Sequence, residues 1–111
     1  MAEQKKEPSL TVQTKPVDAR WSIQGLSKNV TTVMDKNPSD GNIYAFINKW
    51  FTIVLLLQYT EKGPVVLKKK LDDKTEWPSS TPLSKDTTIT LNGLDKNKFL
   101  EDKGCPKNLS P

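Results

Sequence analysis

The side chains in this chain whose type and spacing could do chemistry are mostly lysines. Val65 to Leu71 reads VVLKKKL. If this run is a β-strand, alternate side chains face opposite ways: Lys68 and Lys70 share a face with Val66, while Lys69 lies with Val65, Leu67 and Leu71. A lysine-rich strand beside an aromatic such as Tyr44, Trp50, Tyr59 or Trp77 is the arrangement of single-strand nucleic-acid binders, which track phosphates with cations and stack bases on rings. Lysines also blunt an exposed sheet edge against aggregation, which asks for no ligand at all. The acids Asp72, Asp73 and Glu76 follow at once and offset the local charge. Arg20 is the only arginine among 17 basic residues, which stand against 13 acidic ones for a net charge of +4. Arginine is the residue whose planar fork suits phosphate and guanine, so its scarcity weighs against base-specific readout.

Trp77 is the second candidate. It stands between Glu76 and Pro78 in a stretch rich in Pro and Ser. A large aromatic in a polar loop either anchors a partner, because Trp buries much area per residue, or folds back over a small core. Catalysis has little to work with. The chain has no histidine and one cysteine, so His general bases, Ser-His-Asp and Cys-His pairs, His-ligated metals and intrachain multi-cysteine zinc sites are all excluded. Neither GxGxxG nor GxxxxGK[ST] occurs. Asp72 and Asp73 are adjacent, and adjacent side chains in extended chain point apart. Cys105 follows an expected helix C-terminus, where the helix dipole disfavours a thiolate. The expectation is no enzyme, no cofactor and no metal.

These groups must be positioned by one small core, since 111 residues make one domain. Residues 1–9 read as a flexible tail. Leu10–Thr14 alternates as a strand does, and Pro16 ends or bends it. Arg20–Gln24 alternates again, and the β-branched run Asn29–Met34 reads as another strand. Asp35–Asn42 is a turn cluster. Ile43–Tyr59 is the apolar centre. A helical stripe with Asp40 as N-cap fits its first part, and helix or strand stays open for residues 43–50. Trp50–Tyr59 is expected to hairpin with Val65–Leu71 around Glu61–Pro64. Residues 72–86 read as a loop, and Thr87–Leu91 as a strand closed by an Asn92-Gly93 turn. A short helix is expected to begin at Asp95, with Leu94 against Phe99 as a hydrophobic staple and Gly104 just past its end. Residues 105–111 read as a second flexible tail.

The fold expected is therefore a β-rich small single domain over residues 10–104, all-β or α+β. It has an antiparallel sheet with a central hairpin and a short C-terminal helix. Ile43–Tyr59 contains Asn48 and Lys49 and sits at the lower limit for a membrane span, so no membrane insertion is expected. MAEQKK at the start leads into polar sequence rather than a secretory leader, and with one cysteine this points to an intracellular, cytoplasmic setting. Asn29-Val30-Thr31 matches the glycosylation sequon, read here as chance. The function expected is that of a non-catalytic binding or accessory protein acting through protein–protein interaction, with Trp77 as its anchor. The alternative is single-stranded nucleic-acid binding through Lys68, Lys69 and Lys70.

Overall fold

A computed structural model describes residues 8–78 and 88–106. In chain order the elements are β1 (Leu10–Gln13), α1 (Ile23–Thr32), β2 (Ile43–Ile47), β3 (Ile53–Thr60), β4 (Gly63–Lys70), β5 (Thr88–Leu91) and α2 (Gly93–Asp102). The strands form one sheet in the order β4-β3-β2-β1-β5. It is mixed rather than wholly antiparallel: β1 and β2 run parallel, and the other neighbouring pairs run antiparallel.

The parallel pair explains the main departure from the sequence reading. Parallel neighbours need a crossover of a dozen or more residues, usually a helix. That crossover is α1, so the two strands expected over Arg20–Gln24 and Asn29–Met34 are one helix and its flanks. Ile23, Leu26, Val30 and Met34 recur at helical spacing and pack on Val17, Tyr44, Phe46, Leu55 and Leu57. The β-branched residues are accommodated because the Thr31 and Thr32 hydroxyls donate to the carbonyls of Ser27 and Lys28 one turn back. Gly25 lets the helix approach Trp21, whose Cβ and Cγ would lie 3.2 and 3.3 Å from an added Cβ. Asn29, in the sequon, is buried and donates from Nδ2 to Gln13 Oε1, so it belongs to the helix–sheet seam.

The opposite face of the sheet carries the second half of the core. Leu10, Val12, Ile43, Ala45, Ile47, Val54 and Leu56 pack there with Leu100 of α2 and with Cys105. Every residue of β2, and Val54–Leu57 of β3, is therefore buried, because helices cover both faces. This is why Ile43–Leu57 shows no clean period in the sequence. It is two strands joined by a turn at Asn48–Thr52, and no helix passes through it. Asp40, expected as a helix cap, instead receives the Tyr44 hydroxyl at 2.6 Å. Burial, and then this carboxylate, push the Tyr44 phenol well above its ordinary pKa.

The expected hairpin is present, with Ile53 to Thr60 paired against Lys70 to Gly63 around a Glu61-Lys62 turn. The C-terminal helix is also present but starts earlier than expected. Its N-cap is Asn92, so Asp95 lies in the first turn rather than at the cap, and Asn92-Gly93 opens the helix instead of making a separate turn. Leu94 is 76% exposed, and Phe99 packs on Trp77 in place of the expected staple. The helix ends in a Schellman motif. Gly104 N–H donates to Glu101 O at 3.0 Å, and Cys105 N–H to Leu100 O at 2.8 Å, with Gly104 at φ +68°. Cys105 is thereby drawn into the core rather than into a tail. Residues 79–87, 1–7 and 107–111, and with them parts of the expected loop and tails, lie outside the described residues.

Replacing Gly104 by Ala should cost about 1–2 kcal/mol, the penalty of a side chain in the left-handed region. Its Cβ would also press Lys69 Cε at 3.3 Å. The urea midpoint of Gly104→Ala should fall without change in slope.

Candidate functional site

Beyond β1 the chain is bent by Pro16, yet it continues beside β2. Val17 N–H donates to Ile47 O at 2.8 Å, making a parallel bridge with Asn48. The segment Pro16–Arg20 is thus laid against the turn that joins β2 to β3. Asn48 builds that turn. Its side-chain oxygen accepts from the backbone of Thr52 at 2.8 Å and Ile53 at 2.9 Å, and its Nδ2 donates to Thr52 Oγ1 at 3.0 Å. Phe51 sits in the left-handed region at φ +60°, an uncommon conformation for a bulky residue. It is held there by backbone bonds from its N–H to Asn48 O and from Thr75 N–H to its own carbonyl. Its ring packs into the α2-side core, whereas its neighbour Trp50 is 60% exposed.

Between these two arms lies a groove of about 750 Å³ lined by Pro16, Val17, Ala19, Trp50 and Ile53, with Arg20 and Lys49 on its walls. Lys49 Nζ stands 4.3 Å from the centre of the Trp50 ring, a cation–π contact. Arg20 is held by Asp18. Nε and Nη2 donate to the two carboxylate oxygens at 3.1 and 2.9 Å, and the Arg20 N–H donates at 2.9 Å. The hydrogen bonds from the Arg20 side chain and backbone lower the Asp18 pKa to about 2, so the pair keeps its charges as pH falls well into the acid range.

The candidate lysines divide as alternation requires. Lys70 pairs with Ile53 and Lys68 with Leu55, which puts both on the α1 face. Lys69 pairs with Val54 on the α2 face and lies beside Gly104. All three are exposed on the edge strand. They do not make one triple cluster, but Lys70 stands next to Ile53, whose side chain lines the groove.

Trp77 folds back. It is half-buried, its Nε1–H donates to Gln13 O at 2.8 Å, and its ring meets Phe99 edge-on at 5.2 Å between centroids. Its indole N–H is thus occupied inside the fold. Lys103 fixes the same segment, donating to Thr75 Oγ1 at 2.7 Å, to Glu76 O and to Asp102 at 2.9 Å. Asp72 and Asp73 are exposed. Among the described residues no group of His, Cys, Asp or Glu is placed to hold a metal ion. Burial raises the Cys105 thiol pKa, against the weaker opposing pull of Lys69 and Lys103, which leaves it a poor nucleophile. Among the described residues no helix is long and apolar enough to cross a membrane.

The groove residues Arg20, Lys49 and Trp50 were not legible as a site. The usable signal was the polar break Asn48-Lys49 inside the apolar run 43–59, which marks a turn and exposes the aromatic that follows. No curated protein and no solved structure matches the chain. A family model described as IS66 Orf2 like protein matches residues 9–100, a span that takes in both arms of the groove and the whole sheet. The chain belongs to the IS66 Orf2-like family.

Proposed function

We propose that this protein is a non-catalytic accessory factor that works by docking a partner protein in the groove between Pro16–Arg20 and the Asn48–Ile53 turn. Membership of the IS66 Orf2-like family supports an accessory role. The observation that carries the docking reading is Trp50. It is the most exposed aromatic among the described residues, at 60%, and it stands at the rim of a largely apolar groove on a turn tied by three Asn48 side-chain bonds. Rigidly held tryptophans beside apolar pockets are the side chains that dominate protein–protein binding energy. Holding the turn that carries the ring in place beforehand reduces the entropy lost on association.

Nucleic-acid binding has one observation in its favour: Lys68, Lys70 and Lys49 gather on or near one side of the sheet. Against it, Arg20 is already committed to Asp18, Lys69 faces away, and much of the groove's lining is apolar.

The test is affinity capture from the native source with nuclease treatment alongside. A specific polypeptide should be retained after nuclease and be lost, by about tenfold or more, when Trp50 is changed to Ala. Retention unchanged by Trp50→Ala sinks the groove. Retention abolished by nuclease, with affinity for single strands falling at a log–log salt slope near −0.7 per phosphate contacted, returns the nucleic-acid reading.

A further inference from the structure

We infer that the groove takes an acidic peptide segment carrying one large apolar side chain. That side chain is received beside Trp50, Val17 and Ile53, and its flanking carboxylates meet Lys49 and Lys70. The inference rests on the docking reading above and specifies the chemistry of the partner.

Charge complementarity around an apolar centre selects the occupant. The groove's apolar lining is Pro16, Val17, Ala19, Trp50 and Ile53, beside the polar Asn48 and Thr52, and this apolar surface favours an apolar side chain in the occupant. Lys49 lines the groove, and two further lysines lie on the same face of β4 nearby. Lys49 is on the Trp50 ring, Lys70 is the cross-strand neighbour of Ile53, and Lys68 is one step further along the same face beside Leu55. Among the described residues none of the three is in an ion pair, the pairs there being Arg20 with Asp18 and Lys103 with Asp102. The one acid at the groove, Asp18, is neutralised by Arg20 through paired bonds. The acids that follow β4 in sequence do not all stay with it. Thr75 N–H binds Phe51 O, and Trp77 packs on the α2 side, so the chain carries Glu76 toward the other face. What remains is an apolar slot with Lys49 on its wall and Lys70 beside Ile53, both outside the ion pairs among the described residues. An acidic segment satisfies both, and like-charged partners are rejected.

A nucleic acid would use the same lysines but not the slot. It would leave the apolar lining of Pro16, Val17, Ala19 and Ile53 unfilled, and the Arg20 fork is taken up by Asp18.

The test pans a random peptide library displayed on phage against the immobilised full chain. Enriched peptides are then titrated by fluorescence anisotropy, with an oligothymidylate titrated in parallel. Trp50→Ala and the double variant Lys49→Glu, Lys70→Glu are compared with the parent, all with thermal midpoints measured to confirm folding. The expected result is enriched peptides in which an aromatic or leucine is flanked by Asp or Glu. Their affinity should fall about thirty-fold or more in Trp50→Ala. It should fall about tenfold or more in the charge-reversed variant, and when the peptide carboxylates are changed to amides. Enriched peptides that need Trp50 but carry no acids, and ignore the charge reversal, overturn the acidic partner and leave the docking groove standing. Failure to enrich any Trp50-dependent peptide overturns both. Oligothymidylate binding tighter than any peptide, and abolished by the charge reversal, overturns both in favour of a nucleic acid.

Discussion

Trp77→Ala lowers the stability of the protein by about 3 kcal/mol, toward the lower end of the range for deleting a large aromatic from a core. Trp50→Ala leaves stability within about 0.5 kcal/mol of the parent, as expected of a surface position. The two tryptophans differ only in where the fold puts them. Trp77 lies half-buried over the α2-side core, edge-on to Phe99, with its indole N–H on the carbonyl of Gln13. Deleting it removes apolar contact and a sequence-distant hydrogen bond, and leaves the Gln13 carbonyl to find water. It also unmoors Thr75 and Glu76, which Lys103 holds from below. Trp50 loses a cation–π contact with a surface lysine and little else. Chemical denaturation of both variants decides the matter. Equal losses, or a larger loss for Trp50→Ala, would mean that the roles of the two residues are reversed.

Asn48→Ala costs about 1–3 kcal/mol, because it removes the acceptor of two part-buried backbone N–H groups at once and an unsatisfied donor carries a desolvation penalty of that order. Asn48 is 4% exposed, and its oxygen serves the amides of both Thr52 and Ile53. The same substitution frees Phe51 from one cause of its positive φ, so the turn relaxes and Trp50 loses its fixed aim. Stability and partner affinity should therefore fall together in Asn48→Ala, whereas only affinity falls in Trp50→Ala. Asn48→Asp separates shape from charge: it keeps the accepting oxygen and should recover most of the stability. A midpoint for Asn48→Asp as low as for Asn48→Ala would show that the side-chain oxygen is not what holds the turn.

Much of the sheet was legible. The hairpin over Ile53–Lys70 followed from an apolar run, a turn and a β-branched restart, and the face assignment of Lys68, Lys69 and Lys70 followed from alternation alone. Local rules failed where a nonlocal pairing overrode them. Asn29–Met34 looks like a strand to any residue-by-residue preference, yet it forms most of the last turns of α1 and its exit, because β1 and β2 are parallel neighbours and the chain between them must cross the sheet. The cap of α2 lies three residues before the Asp95 that the sequence suggests, since Asn92 and Asp95 are both of cap-forming type. What decided between them was the end of β5 at Leu91, which pairs with Leu10 on a distant strand.

The sequence by itself determined that this chain carries no histidine-based or multi-cysteine chemistry, that its core is small and β-rich, and which lysines share a face. Those properties follow from composition and from the two-residue period of a strand, neither of which depends on distant residues. Only the tertiary structure decided which tryptophan covers the core and which faces solvent, because that depends on Trp77 reaching Gln13, 64 positions away. It also decided that a groove exists. Pro16–Arg20 and Asn48–Ile53 are separated by the whole of α1 and β2, and they meet because a single backbone bond from Val17 to Ile47 lays one against the other. A binding surface built from two segments so far apart has no local signature, since its geometry is a property of the sheet order rather than of either stretch of residues.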